Sequence, residues 1–117
     1  MENCIFCKIA SGAIPSKKVY EDEEIFAFHD INPVAPIHIL IIPKKHIASL
    51  VEVTTDDLFL LGKMMHVAKQ LAAEFGLSDK GYRININTNA DGGQTVFHLH
   101  VHLIGGKRMG WPPFPTI

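Results

Sequence analysis

What this sequence has little of narrows it first. It holds two cysteines in 117 residues, Cys4 and Cys7, too few for a disulfide framework. Charge of one sign is also lacking: eleven Lys and Arg face twelve Asp and Glu, and Lys17-Lys18 and Lys44-Lys45 are only pairs. Direct nucleic-acid binding or docking on an anionic membrane needs a basic face, which this balance does not supply. No uncharged apolar run reaches the ~18 residues of a spanning helix. The opening Met1-Glu2-Asn3-Cys4 has no basic stretch leading into an apolar one, so no secretory signal is read. A cytoplasmic location follows as the expectation, with both thiols reduced and available to a metal. A hydrophobic content of 47% excludes disorder, and the length suits a single domain, 1–117, that buries about two-thirds of its unfolded surface.

What is present reads as a mixture of helix and strand. Residues 4–11 space Ile5, Phe6 and Ile9 as a short helix, with Gly12 as its stop. Val19-Tyr20 suggests a short strand, 25–30 a second, and the β-branched run 37–42 a central one ended by Pro43. Thr54 with Asp57 resembles a capping box before one long helix, roughly 55–75, whose apolar residues recur at three- or four-residue steps until Gly76. Residues 82–88 alternate apolar and polar positions, 89–95 form a glycine-containing loop, and 96–104 read as the last strand. The tail 107–117, with Trp111 among prolines, is extended. The expected class is α+β: a mainly antiparallel sheet with one long and one short helix.

Seven histidines are the anomaly, and three lie within five residues: His98-Leu99-His100-Val101-His102. On a strand, alternate side chains share a face, so the three imidazoles line up while Leu99, Val101 and Leu103 turn to the core. Aligned imidazoles either bind a metal or run nucleophilic and acid–base chemistry near neutral pH. Just upstream, Asp91-Gly92-Gly93-Gln94-Thr95 offers glycines that let backbone N–H groups converge on an anion. A nucleophile beside such a loop suggests attack on phosphorus or a carbonyl centre. His66 on the long helix and His29 on a strand read as ordinary surface or packing residues.

His98 to Ile104 resembles the histidine-triad pattern, His-x-His-x-His followed by apolar residues. Asp91 to Thr95, Phe28-His29-Asp30-Ile31, Ile42-Pro43-Lys44-Lys45-His46 and Trp111-Pro112-Pro113 resemble the Hint-like branch of that family. The resemblance implies a homodimer in which two five-stranded sheets join into ten strands. It implies a purine nucleotide-binding hydrolase that cleaves nucleoside phosphoramidates or related P–N and P–O bonds. In that reading His100 attacks the α-phosphorus and carries the nucleotidyl group, a backbone carbonyl fixing its other nitrogen. His102 assists the leaving group, and His38 joins the network. Asn87, Gln94 and Thr95 donate to phosphate, and Asp30 accepts the ribose hydroxyls. Ile5, Phe6, Ile9, Ile14, Phe28 and Ile31 form an apolar slot for the base, while Trp111 lies near the partner's site.

Cys4-Ile5-Phe6-Cys7 is C-x-x-C with no strand before it, which disfavours a thioredoxin-like role. A zinc site needs two more donors. The resemblance supplies His46 and His98, giving a closed, structural Cys4–Cys7–His46–His98 zinc. Two rivals remain: a nucleotide-binding regulatory module with incidental hydrolysis, and a metalloenzyme whose ion is held by His98, His100 and His102 together.

Overall fold

Ile37–Pro43 becomes the middle of the sheet because its β-branched residues fill both faces of a strand. Around it, the computed structural model describes residues 3–114. The elements are α1 (Ile5–Ser11), β1 (Lys18–Glu21), β2 (Ile25–His29), β3 (Ile37–Pro43), α2 (Leu58–Glu74), β4 (Tyr82–Asn85) and β5 (Val101–Gly105). The strands form one antiparallel sheet in the order β1-β2-β3-β5-β4. The expected α+β class, with five strands, one long helix and one short one, is what the chain adopts.

Alternation along the strands assigns two faces. Ile25, Ala27, Ile39, Ile41, Val101 and Leu103 pack with Met64, Val67 and Leu71 of α2 in the main core. Phe26, Phe28, Leu40 and Ile42 pack on the opposite face under Phe6 and Ile9 of α1. Each such side chain contributes roughly 1.5–3 kcal/mol on burial. Seven residues cannot hold a helix alone, so α1 depends on this packing and on its caps. Cys4 caps it, its sulfur accepting the Cys7 N–H, and Gly12 closes it at φ 85°. The face under α1 also carries His38 and His102, and there the helix leaves the sheet partly open.

Three expectations about boundaries are corrected. The last strand does not run over 96–104; its ladder begins at Val101, opposite Ile41. Two steps further, at Leu99, the partner would be Pro43, which has no N–H to give. Residues 96–100 still alternate, with Leu99 in the core, but Leu99 N–H goes to the Ile47 carbonyl at 2.6 Å. The strand read over 82–88 ends at Asn85, where the Asn85 side chain donates to Asn87 and the chain leaves the ladder. The long helix opens with a 3-10 turn, Thr55–Asp57, before α2 begins at Leu58; the Thr54–Asp57 capping box forms as expected. Among the described residues no helix is long and apolar enough to cross a membrane. Residues 107–114 form neither helix nor strand, and the part of the tail at 115–117 lies outside the described residues.

Candidate active site

The register of β3 and β5 sets the histidines. Leu40 faces His102, and His38 faces Ile104, so His38 and His102 are diagonal neighbours on one face. Two residues upstream, His100 packs its ring 4.9 Å from that of His102.

Backbone groups then decide where each proton sits. Nδ1 of His100 lies 2.7 Å from the His98 carbonyl oxygen. A carbonyl only accepts, so Nδ1 carries the proton and Nε2 keeps its lone pair. Burial, partly opposed by that bond, lowers the His100 pKa and keeps the ring neutral. His38 is set the opposite way. The Val34 N–H donates to its Nδ1 at 3.2 Å, so its Nε2 bears the proton and donates to Nδ1 of His102 at 2.9 Å. His102 is left with its proton on Nε2. Burial first, then the neighbouring His100 and His38, push the His102 pKa down to about 4.

Beside that Nε2–H stands the Asn87 amide nitrogen, 3.5 Å away. The Asn87 oxygen already accepts from Asn85, which turns its NH₂ toward His102. Two donors facing each other do not bond, and an anionic oxygen between them would satisfy both. Asp30 places one oxygen 3.5 Å from His38 Nε2 and accepts the Asn32 N–H on the other. Asp30, His38 and His102 group like metal ligands. The proton on His38 Nε2 bars that use, because Val34 occupies the alternative site.

A cleft of about 440 Å³ opens between α1 and this face. Ile5, Phe6, Ile9, Ile14 and Phe28 give it apolar walls; Asp30, Ile31 and Thr95 join them, with His100 and His102 exposed to the same space. Those residues were all expected at the site. Leu40, His29, Asn32, Pro15 and Ser16 also line it and were not expected, since a strand interior or a loop position carries no chemical signature. His29 meets Phe75 edge-on, the packing role read for it.

Four expected residues do not line the cleft. His38 reaches it only through His102, and Asn87 borders it beside His102 Nε2. Trp111 is exposed on this chain. Gln94 is buried and fully engaged: its amide donates to the Ala48 and Val96 carbonyls, and its oxygen accepts the Asn89 N–H. It braces the 89–95 loop rather than offering a donor to the cleft. The same loop needs Gly92, where a Cβ would come within 2.5 Å of the Thr88 oxygen.

His98 serves a different centre. Its Nε2–H donates to the Pro43 carbonyl at 2.7 Å, which leaves Nδ1 unprotonated. That nitrogen faces Cys4 Sγ at 3.2 Å and Cys7 Sγ at 3.5 Å, and His46 Nδ1 lies 3.4 Å from Cys7 Sγ. All four ligand atoms lie within 4.8 Å of one another. Tetrahedral zinc with its usual bond lengths separates nitrogen from sulfur by about 3.5 Å, so the donor set fits. Burial and the adjacent Cys4 thiol push the Cys7 thiol up. A site combining His98, His100 and His102 is not assembled: His98 Nδ1 turns to the thiols, while His100 gives its Nδ1 proton to a carbonyl.

A family model described as the HIT domain matches residues 11–109. A HIT family hydrolase from Legionella pneumophila is 55% identical, covers 96% of this chain and 100% of its own, and superposes with a TM-score of 0.94. A histidine triad nucleotide-binding protein from Candida albicans is 36% identical, with coverage of 98% and 87% and a TM-score of 0.81. A zinc-bound histidine triad family protein from Mycobacterium smegmatis is 34% identical, with coverage of 97% and 81% and a TM-score of 0.79.

Proposed function

The chain belongs to the HIT domain family, and from that premise we propose a nucleotide-binding hydrolase of its Hint-like branch. Its substrates are purine nucleoside phosphoramidates or related P–N and P–O nucleotidyl bonds. The observation that carries this reading is the His100 ring, neutral, tied at Nδ1 to the His98 carbonyl and sharing an apolar cleft with Asp30 and His102. The similarity to a HIT hydrolase and to a nucleotide-binding triad protein supports it.

In the proposed mechanism the base lies between Ile5, Phe6, Ile9 and Ile31, and the Asp30 carboxylate accepts the ribose hydroxyls. The α-phosphate bridges the His102 and Asn87 donors, with Thr95 adding a hydroxyl. His100 Nε2 attacks phosphorus, the bond to the leaving amine breaks, and the imidazole becomes a nucleotidyl-imidazolium stabilised through Nδ1–H and the His98 carbonyl. An imidazole does this at neutral pH without a separate base. His102 is neutral in the free protein and acts first by hydrogen bonding to the phosphoryl oxygens. The approaching phosphate raises its proton affinity, so the His38–His102 pair can move a proton to the departing nitrogen. Water then attacks the labile P–N bond of the adduct and returns His100.

Cys4, Cys7, His46 and His98 would hold a structural zinc, which supplies a cross-link between α1 and the sheet rather than chemistry on the substrate. The zinc-bound relative supports this assignment. A homodimer belongs to the same reading. The chain exposes 7488 Å² against roughly 6,300 Å² for a compact monomer of its mass. Phe59 and Trp111 are exposed, and β4 keeps a free edge. Trp111 would reach the partner's cleft.

Rapid mixing with an adenosine phosphoramidate, acid-free quenching and intact-mass measurement tests the proposal. A chain carrying one nucleotidyl group in the wild type and none in His100→Ala is expected. AMP binding with no adduct and no turnover would leave the regulatory binding module instead.

A further inference from the structure

The two residues between the cysteines are themselves walls of the nucleotide cleft. Ile5 and Phe6 line it, and the Phe6 ring meets those of His98 and His100 edge-on, at 6.0 and 5.1 Å between centroids. Cys4 is also the cap of α1, its sulfur accepting the Cys7 N–H at 3.3 Å. One short turn of helix therefore carries the thiols, the cap and the base slot. Both cysteines are free and half-buried. A second cleft, of about 340 Å³, is lined by Cys4 and His46 with Asn3 and Phe97, and shares Ile5, Thr95 and Val96 with the nucleotide cleft. It brings a small solute to Cys4, which the nucleotide cleft does not reach.

We propose that Cys4 and Cys7 form a peroxide-oxidisable dithiol whose closure to a disulfide opens the α1 wall and weakens nucleotide binding. The chemistry balances with hydrogen peroxide as the oxidant. Cys4, the cysteine on the second cleft, attacks a peroxide oxygen as its thiolate, the O–O bond breaks, and a sulfenic acid and one water result. The second thiol attacks that sulfur, the S–O bond breaks and a second water leaves. Sulfur is oxidised and peroxide oxygen reduced.

The structural consequence follows from spacing. Cys4 caps α1 from an extended backbone and both sulfurs stand beside His98 Nδ1, whereas a disulfide draws the two Cβ atoms to about 3.8 Å and turns the sulfurs onto each other. The sulfurs turn from the imidazoles toward each other, and the backbone of Ile5 and Phe6 between them shifts with the new bond. Oxidation also removes two of four donors. The remaining His46 and His98 imidazoles cannot close a tetrahedral structural site, so the link between α1 and the sheet goes with the thiols. His98 is then held at Pro43 alone, while its carbonyl still orients His100. Nucleotide affinity is expected to respond more than the chemical step.

This inference rests on the nucleotide cleft and on the zinc reading, and its test separates the three. Metal content of the reduced wild-type protein is measured first. Hydrogen peroxide is then titrated while thiols, intact mass, released zinc and AMP affinity are followed, and dithiothreitol with zinc is added at the end. The expected result is one zinc per reduced chain, its release in step with the loss of two hydrogens, and AMP binding weakened on the order of tenfold. Dithiothreitol and zinc restore the affinity, which methionine oxidation would not allow. Absence of zinc from the reduced protein overturns the metal reading only, and the disulfide and AMP arms still decide the switch. Failure of the reduced protein to bind AMP overturns the cleft reading and the switch with it. A disulfide that leaves AMP affinity unchanged, or thiols that stay unreacted at excess peroxide, overturns the switch alone.

Discussion

His98 and His100 are two residues apart, both buried and both without charge, yet they serve different centres. The difference is one hydrogen bond each. His98 gives its Nε2 proton to the Pro43 carbonyl and turns Nδ1 to the sulfurs; His100 gives its Nδ1 proton to the His98 carbonyl and keeps Nε2 for the cleft. Opposite tautomers on one segment aim one ring at the sulfurs and the other at the cleft. The comparison teaches that the imidazoles are assigned by backbone carbonyls, which no side-chain pattern announces.

The comparison breaks most visibly at His100. His100→Ala should lower kcat/KM by on the order of 10⁴-fold or more, the scale of losing a nucleophile, while metal content stays unchanged. Steady-state kinetics with metal analysis checks both halves. The opposite break is Cys4→Ser with Cys7→Ser. That protein should lose its metal and melt lower by on the order of 10 °C, the scale of a few kcal/mol for a chain this size. Calorimetry with metal analysis measures it, and retained stoichiometric zinc would contradict the quartet.

A smaller effect tests the proposed relay from His38 to His102. His38→Phe removes the N–H donated to His102, and kcat should fall roughly 10²-fold with little change in KM, since His38 positions a donor without touching the base. A change confined to KM would contradict that role.

The mildest effect is in pH. Burial holds His100, His38 and His102 below the ordinary imidazole value. The neutral nucleophile therefore persists on acidification, and kcat/KM should stay within about twofold of its plateau down to pH 6.5, falling only below it. The unfolded chain binds protons at these rings before the folded one does. The stability they contribute is thus complete above about pH 6.5 and is lost as pH falls through the folded values, about 4 for His102. Denaturant midpoints across that window read it directly.

Much of this was legible in residues, and the reasons are local. The β-branched run ending at Pro43, the periodic apolar face of α2 and the alternation of His98, His100 and His102 each report a burial pattern, and burial fixed the elements. Cys4 and Cys7 were identifiable as a candidate metal pair by side-chain chemistry, whereas His46, His98, Asp30 and Phe6 came from the family resemblance. What escaped is carried by main-chain groups. The ladder ends at Val101, two steps before Leu99 would meet Pro43, which has no N–H. The proton on His38 is set by a Val34 amide, and Gln94 is drawn inward by the Ala48 and Val96 carbonyls. A glutamine beside two glycines looks like an anion donor until those partners are known.

The central claim concerns proton positions, and imidazole ¹⁵N NMR of histidine-labelled, reduced protein at neutral pH reads them. The account predicts His100 protonated at Nδ1 with a bare Nε2, and His98 protonated at Nε2 with Nδ1 directed to the sulfurs. A His100 ring carrying its proton on Nε2, or both rings showing the same tautomer, would contradict it.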